Sequence, residues 1–556
     1  MTNRGGPASP FFRQRHAILV AALALAASVR SIGNGFAFDD VAIIATNERI
    51  HHLRDWWHLF AVSYWPPSLG ESLYRPLTSL VFALQWRISD GAPWVFHLTS
   101  ILLYVAVSLA VWRLFGSLIT GAGALIAAAL FAVHPVHVEA VANVVGQAEL
   151  WAALPVVLAC TWYVRLREAG TPTAYATLGI AGLLLCGALF KEHAILLPLL
   201  LAGLEVTVVS SDQPWRRRVR SLWPLYVTLF ACVVAFVTLR SAVLGSLLGE
   251  QQVVEMDLPT RVWTMFRVVP EWVRLFVFPV HLSAYYGPKD IEIVRGPTFW
   301  NVLGIGLTLL AVATFVYGRR RQPIVACSLL WLGVTLLPAS NLLSGFILEE
   351  HTLFLPSVGA MLVIGALWDR IWVRNANRGA PAIPGDSSSR RSQAVMLALP
   401  AVVVAAWGVR SALRQAVWKD NPTLFAATVS DAPRSYRAHY LYGTTLFETG
   451  RPREGELELR VAIALSSNDS DPYNYLATKY REARLYPQAI PLYRQAIALN
   501  PRRPDARFGL AYALLESGNI VAARAEAEAG MAGGQLTSYF RWILARADSA
   551  ASRASQ

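Results

Sequence analysis

Two adjacent carboxylates stand where an apolar run ends, in Phe38-Asp39-Asp40. Side by side just outside a membrane, they suit a general base for an incoming hydroxyl or one half of a metal site. They also suit a plain helix end at the water boundary. Later in the same polar stretch comes Tyr74-Arg75-Pro76-Leu77, whose guanidinium offers the planar fork that recognises phosphate. A further stretch runs from His134 through His137 and Glu139 to Gln147 and Glu149. His134, His137 and Glu139 lack the i, i+4 pairing of a helical zinc site, so the expectation is that they orient a carboxylate or bind a hydroxyl rather than hold a metal. Lys191-Glu192-His193 and Glu349-Glu350-His351 complete the set. Lys191 and His351 suit phosphate binding; the alternative is that these charges, Glu192 and Glu350 included, pair with one another or anchor at the level of the lipid headgroups. No resident metal or other cofactor is expected, and the chain has no Gly-rich phosphate loop.

What must position these groups is a membrane. Of 556 residues, 55% are hydrophobic and only 15% charged, against about a quarter charged in soluble proteins. Apolar runs that approach the about 20 residues needed to cross a bilayer lie near 16–33, 95–115, 119–134, 148–165, 174–190, 193–210, 222–239, 299–317, 322–338, 354–372 and 393–409. The first resembles a signal peptide, but ten more follow and it is read as retained. The net charge of +13 comes from arginine clusters such as Arg216 to Arg218 and Arg319 to Arg321, which lie between these runs. That placement reads as cytoplasmic loops under the positive-inside rule, not as a nucleic-acid surface. Eleven alternating spans from a cytoplasmic N-terminus put the clusters on one side and the unusual polar motifs, with the C-terminus, on the other. A twelfth apolar stretch, 261–282, carries Arg267, Glu271 and Arg274 on one helical face and is read as interfacial or re-entrant. The four cysteines all fall inside apolar runs, without metal-ligand spacing, and are read as packing residues.

From about Trp418 the composition turns soluble and a 34-residue period appears. Gly443, Ala477 and Ala511 share one repeat position, Leu459, Tyr493 and Ala527 another, and Ala462, Ala496 and Gly530 a third. This is the tetratricopeptide period. The expected fold is therefore all-α, a polytopic helix bundle of about eleven spans over 1–410 followed by a tetratricopeptide α-solenoid over 411–556. The solenoid is read either as a groove for a peptide or partner protein or as a structural cap.

Taken in order, Phe38-Asp39-Asp40, Tyr74-Arg75-Pro76-Leu77, His134 to Glu149, Lys191-Glu192, Leu337 to Leu342, Glu350 to Ser357, Trp418 and the repeats resemble the transmembrane and tetratricopeptide-repeat O-mannosyltransferase family and its bacterial relatives. The resemblance implies a GT-C glycosyltransferase that takes sugar from a polyprenyl phosphate, dolichyl phosphate mannose in eukaryotic members, and transfers it to Ser or Thr of exported proteins. It also implies a bacterial inner-membrane protein with its site and repeats facing the periplasm, or the lumen of the endoplasmic reticulum in a eukaryote. The chain differs from the implied pattern at Gln147 and His351, where an Arg is expected.

A lipid-phosphate sugar already carries a good leaving group. Such an enzyme needs a base for the hydroxyl, cations for the departing phosphate and a dry cavity open to the bilayer. Asp39 or Asp40 would be the base; Arg75, Lys191 and either Arg267 or Arg274 would hold the phosphate. A transporter or flippase would set its charges near mid-span rather than at helix ends. An assembly scaffold would need spans and repeats but not these motifs on one face.

Overall fold

The computed structural model describes residues 10–66, 70, 72–119, 121–209, 213–246, 256–286, 291–340, 347–378 and 387–554. Of the sequence motifs, Asn341 and Leu342 lie outside these residues, as does 379–386 of the Gly/Pro/Ser-rich linker. Every regular element among the described residues is helical. In hydrocarbon no water can satisfy backbone N–H and C=O groups, so a spanning segment must close its hydrogen bonds within itself. The chain divides into two compact units, 1–424 and 425–556. The boundary falls after that expected at 410, because the residues following the last apolar helix remain bonded to the first unit.

All eleven apolar runs are helical. Among the described residues seven helices are long and apolar enough to cross a membrane, and Gly121–Ala132 with Pro135–Ala142, bent by 44° at the break, forms either a broken eighth span or a re-entrant loop. Ala174–Phe190, Leu197–Thr207 and Pro323–Leu336 are apolar but shorter than a full span. The bundle packs closely where glycines meet. A Cβ on Gly123 would lie 2.5 Å from the Gly365 carbonyl oxygen, so helices Gly121–Ala132 and Phe354–Arg378 cross backbone to backbone. Cys160 and Cys327 are buried in this packing, as expected. The stretch read as interfacial forms the helix Leu258–Val277, capped by the Asp257 side chain on the Thr260 N–H, and is not among the seven.

The second unit contains three helix pairs, Tyr436–Glu448 with Pro452–Leu465, Ser470–Glu482 with Tyr486–Leu499, and Pro504–Glu516 with Ile520–Ala532, followed by Thr537–Ala554. The residues at the three repeat positions are all buried, and Gly443 lies where a Cβ would come within 2.9 Å of the Leu459 side chain. The turn within each pair uses a left-handed residue at the same register: Gly450 (φ 78°), Arg484 (φ 58°) and Gly518 (φ 84°). Arg484 adopts a conformation that costs a residue with a Cβ about 1–2 kcal/mol.

Candidate active site

The two aspartates part company. Phe38 takes a left-handed conformation (φ 56°), and beyond it Asp40 turns inward, fully buried. One Asp40 oxygen accepts from the N–H groups of Val144 at 3.1 Å and Ala37 at 3.4 Å, the other from Val145 at 2.8 Å. Burial pushes its carboxyl up to about 8 against the pull of those donors. With both oxygens committed to the backbone, Asp40 ties the first loop to the turn at 144–146 and is not placed to take a proton from substrate. Asp39 is only half-buried.

Arg75 precedes the helix Pro76–Ser89, where proline at the first turn loses no hydrogen bond. Its fork does not stand open. Nε donates to Glu192 Oε2 at 3.0 Å and Nη2 to Glu192 Oε1 at 2.8 Å. Burial opposes the guanidinium charge, and the Glu192 carboxylate more than offsets this, raising the Arg75 pKa; reciprocally, burial raises that of Glu192 but Arg75 wins and holds it low. The guanidinium also lies over the Tyr64 ring, 5.3 Å from its centre. The Tyr64 hydroxyl lies within electrostatic reach of Arg75, Asp39, Asp40 and Glu192.

Next along the chain, Lys191 is bonded to Glu149, and His193 Nδ1 lies 3.4 Å from the other Glu149 oxygen. Burial lowers the His193 pKa to about 4, leaving the imidazole neutral near pH 7. His351 joins from a third segment: its backbone N–H and Nδ1 meet the Glu139 carboxylate at 3.0 and 2.8 Å, and its Nε2 lies 3.6 Å from Glu349 and 4.0 Å from Glu149. Burial raises the Glu349 carboxyl above its ordinary value. Thus Asp39, Arg75, Glu139, Lys191, Glu192 and His351 come together at one end of the bundle, and the cations are already paired with carboxylates.

The other expected residues fall elsewhere. His137 is a core residue, bonded through Nδ1 to the Tyr104 hydroxyl (2.9 Å) and through Nε2 to that of Ser357 (2.8 Å). His134 accepts from the Val136 N–H and reaches the Phe276 carbonyl at 3.1 Å. Both are fixed by their own turn and by neighbouring helices, so neither is available to orient a carboxylate. Glu350 accepts from the Ser283 N–H and the Tyr286 hydroxyl, pinning the stretch after Leu258–Val277. Arg274 pairs with Glu271 at 2.6 Å on its own helix, while Arg267 stacks over Trp300. Gln147, where an Arg was expected, is buried and bonded to Gln85 and to the Phe96 carbonyl, a site that holds no charge. Residues not singled out by spacing, Tyr64, Glu149, His193 and Glu349, belong to the cluster. Glu149, His193 and Glu349 lay within the sequence motifs; Tyr64 had no signal in the sequence. Among the described residues no group of three or more His, Cys, Asp or Glu is placed to hold a metal ion.

Comparison with known proteins adds names to this geometry. Residues 74–240 match the family described as dolichyl-phosphate-mannose-protein mannosyltransferase, and 480–546 match the tetratricopeptide repeat. The protein O-mannosyl-transferase Tmtc1 of Drosophila melanogaster is 26% identical, covering 80% of this chain and 60% of that protein. Human TMTC2 is 25% identical over 82% of this chain and 63% of its own length, and human TMTC3 26% identical over 64% and 42%. The chain therefore spans between two fifths and two thirds of the length of these relatives. Among solved structures, the archaeal oligosaccharyltransferase AglB from Archaeoglobus fulgidus, in complex with an inhibitory peptide and a dolichol-phosphate, aligns with 73% of this chain and 56% of its own at 15% identity, with a TM-score of 0.41. In its helical membrane unit, its repeat unit and these sequence relatives, the chain is similar to the transmembrane, tetratricopeptide-repeat protein O-mannosyl-transferases.

Proposed function

We propose that the chain is a GT-C glycosyltransferase that moves a sugar, mannose by analogy with its named relatives, from a polyprenyl phosphate to Ser or Thr hydroxyls of exported proteins. The observation that carries this reading is the meeting of Asp39, Tyr64, Arg75 and Glu192 beside the Lys191–Glu149–His351–Glu139 network. A base and a row of cations lie at the end of an apolar bundle, where a lipid tail can remain in the bilayer while its phosphate reaches charge.

In the reaction, the acceptor oxygen bonds to the anomeric carbon as the bond from that carbon to the phosphate oxygen breaks. Asp39 takes the hydroxyl proton, and the polyprenyl phosphate leaves with the electron pair. Arg75 has a third nitrogen, Nη1, beyond the two committed to Glu192. With Lys191 it supplies positive charge where negative charge develops, in a site poor in water. Glu192 and Glu149 hold these cations in place before the donor arrives, so little rearrangement is needed at the moment of reaction.

The repeat unit is proposed to bind the acceptor chain in extended form. The first helices of its three pairs carry Tyr440, Tyr475 and Tyr512, with Arg437, Lys479 and Arg481 stacked over them at 5.5, 5.3 and 5.2 Å. These faces offer both apolar and charged contact to a peptide. The proposed location is the bacterial inner membrane with site and repeats toward the periplasm, on the arginine distribution; protease protection of both termini in sealed vesicles would overturn that topology. For the activity, purified protein is incubated with radiolabelled polyprenyl-phosphate sugars and periplasmic extract. Mannose label entering protein is the expected result, and no label from any donor would overturn the reading.

A further inference from the structure

Tyr64 is held firmly and used incompletely. Its side chain is 3% exposed and packs in the cluster of Ile43, Ile44, Leu59 and Phe82, while its backbone N–H bonds the Leu73 carbonyl at 2.9 Å. The Arg75 guanidinium lies over the ring. The hydroxyl, however, is buried and meets no hydrogen-bond partner among the described residues. Folding strips such a group of water without replacement, so a phenylalanine here would serve the fold better. Burial raises the Tyr64 pKa far above its ordinary value, which keeps the O–H a donor. A donor beside a guanidinium calls for an anion, and Arg75 Nη1, which makes no hydrogen bond among the described residues, belongs to the same guanidinium.

We infer that Tyr64 is a donor-binding residue whose hydroxyl, together with Arg75 Nη1, hydrogen-bonds a non-bridging oxygen of a polyprenyl phosphate. The inference rests on the glycosyltransferase reading and adds a residue to it. A neutral donor suits this position. The Arg75 charge is already balanced by Glu192, and the hydroxyl strengthens the grip on phosphate without adding a further buried cation. The same contact tightens as charge gathers on the leaving oxygen, so Tyr64 serves both binding and departure.

The test uses the purified full-length protein and a readout that needs no turnover, the thermal midpoint as undecaprenyl phosphate is added, with undecaprenol as the uncharged control. The phosphate lipid is expected to raise the wild-type midpoint and the alcohol to leave it unchanged. Tyr64→Phe without lipid is expected to melt at or above the wild-type midpoint, since the orphaned hydroxyl is gone, yet to need about ten-fold more undecaprenyl phosphate for the same rise, the loss of one hydrogen bond to a charged group. If the phosphate lipid leaves wild type unaffected, the donor assignment of the whole site fails. If wild type responds and Tyr64→Phe titrates identically, only the role of Tyr64 fails. A variant that melts lower without lipid, or does not fold, shows that the hydroxyl has a structural partner and also overturns the inference.

Discussion

The helix Gln147–Ala169 carries a buried ion cluster at each end, and the two are built on different plans. Toward its C-terminus, Glu205 accepts from Tyr163, Arg167 and Arg218 at 2.7–3.0 Å, with Arg218 also bonded to the Glu205 and Val209 carbonyls. One carboxylate, on the helix Leu197–Thr207, gathers fixed charges from two other helices. Eighteen residues away, about 27 Å along the axis, Glu149 meets Lys191, His193 and His351, and the network continues through Glu139 and Glu349. Here several carboxylates share partners, two of the partners are imidazoles, and the buried His193 Nε2 has no hydrogen bond among the described residues. The first cluster closes on itself and ties helices together. The second keeps polar capacity in reserve, which is costly for a fold and useful for a site.

The contrast can be broken most sharply at the first loop beside the second cluster. Asp39→Asn should lower transfer by about 10² to 10⁴-fold with an unchanged thermal midpoint, the loss expected of a general base. Asp40→Asn should act on stability instead, by about 1–3 kcal/mol, because its amide would turn an N–H toward backbone donors. Transfer assays paired with melting curves decide, and the opposite pattern exchanges the two roles.

Removing Glu205 tests the closed cluster. Glu205→Gln leaves two buried guanidinium groups without their counter-charge, so stability should fall by about 3–5 kcal/mol. Undecaprenyl phosphate should still raise the midpoint of the protein that remains folded. A specific loss of lipid response at this end would show that the closed cluster also serves the donor.

pH separates the clusters further. His193 is held near 4 by burial, from an ordinary value of 6.5, so the unfolded chain binds a proton there before the folded one. Its contribution is complete above about pH 6.5 and is lost as pH falls toward 4. Glu192, held low by Arg75 despite burial, acts only below its ordinary 4.5. Asp40, raised to about 8, works the other way, favouring the fold less as pH rises from about 4 to 8, but does so in both proteins compared. His193→Gln should therefore flatten the decline in midpoint between pH 6.5 and 4.5. A variant with the wild-type slope would mean that His193 carries its charge in the fold.

The smallest effect concerns the repeats. Removing residues 425–556 should depress transfer to protein acceptors several-fold more than transfer to a short Ser/Thr peptide in excess, since tethering raises local concentration without touching the chemistry. Equal activity on both acceptors would deprive the repeat unit of that role.

Much of this architecture was legible in the sequence, because hydropathy and period are local. Each of the eleven apolar runs is a helix, and the 34-residue register places Gly443, Ala477 and Ala511 at equivalent buried positions. Length was less legible: the helices Ala174–Phe190 and Pro323–Leu336 stop short of a full span at turns that composition did not mark. The site was legible as a set of motifs but not as a set of pairs. Nothing in Tyr74-Arg75 says that Glu192 fills its fork, since the partner lies 117 positions away. Asp39 and Asp40 are chemically identical, and only a left-handed Phe38 and the N–H groups at 144–145 distinguish them. Arg267 and Arg274 share one helix, as their spacing predicts, yet Arg267 stacks over Trp300.

The loop bearing Asp39 is fastened at its start to the far end of the membrane unit. Asn34 donates to the Gln415 carbonyl, the Gly35 N–H to that of Lys419 and the Phe38 N–H to the Asn421 side chain. These bonds join residues more than 380 positions apart. During synthesis the loop emerges among the first elements, while its anchors are among the last of that unit to be made. The carboxylate proposed as the base therefore waits, without its final support, until the whole bundle has been threaded into the bilayer, and a chain interrupted before residue 415 carries every charged motif of the site without the clasp that shapes it.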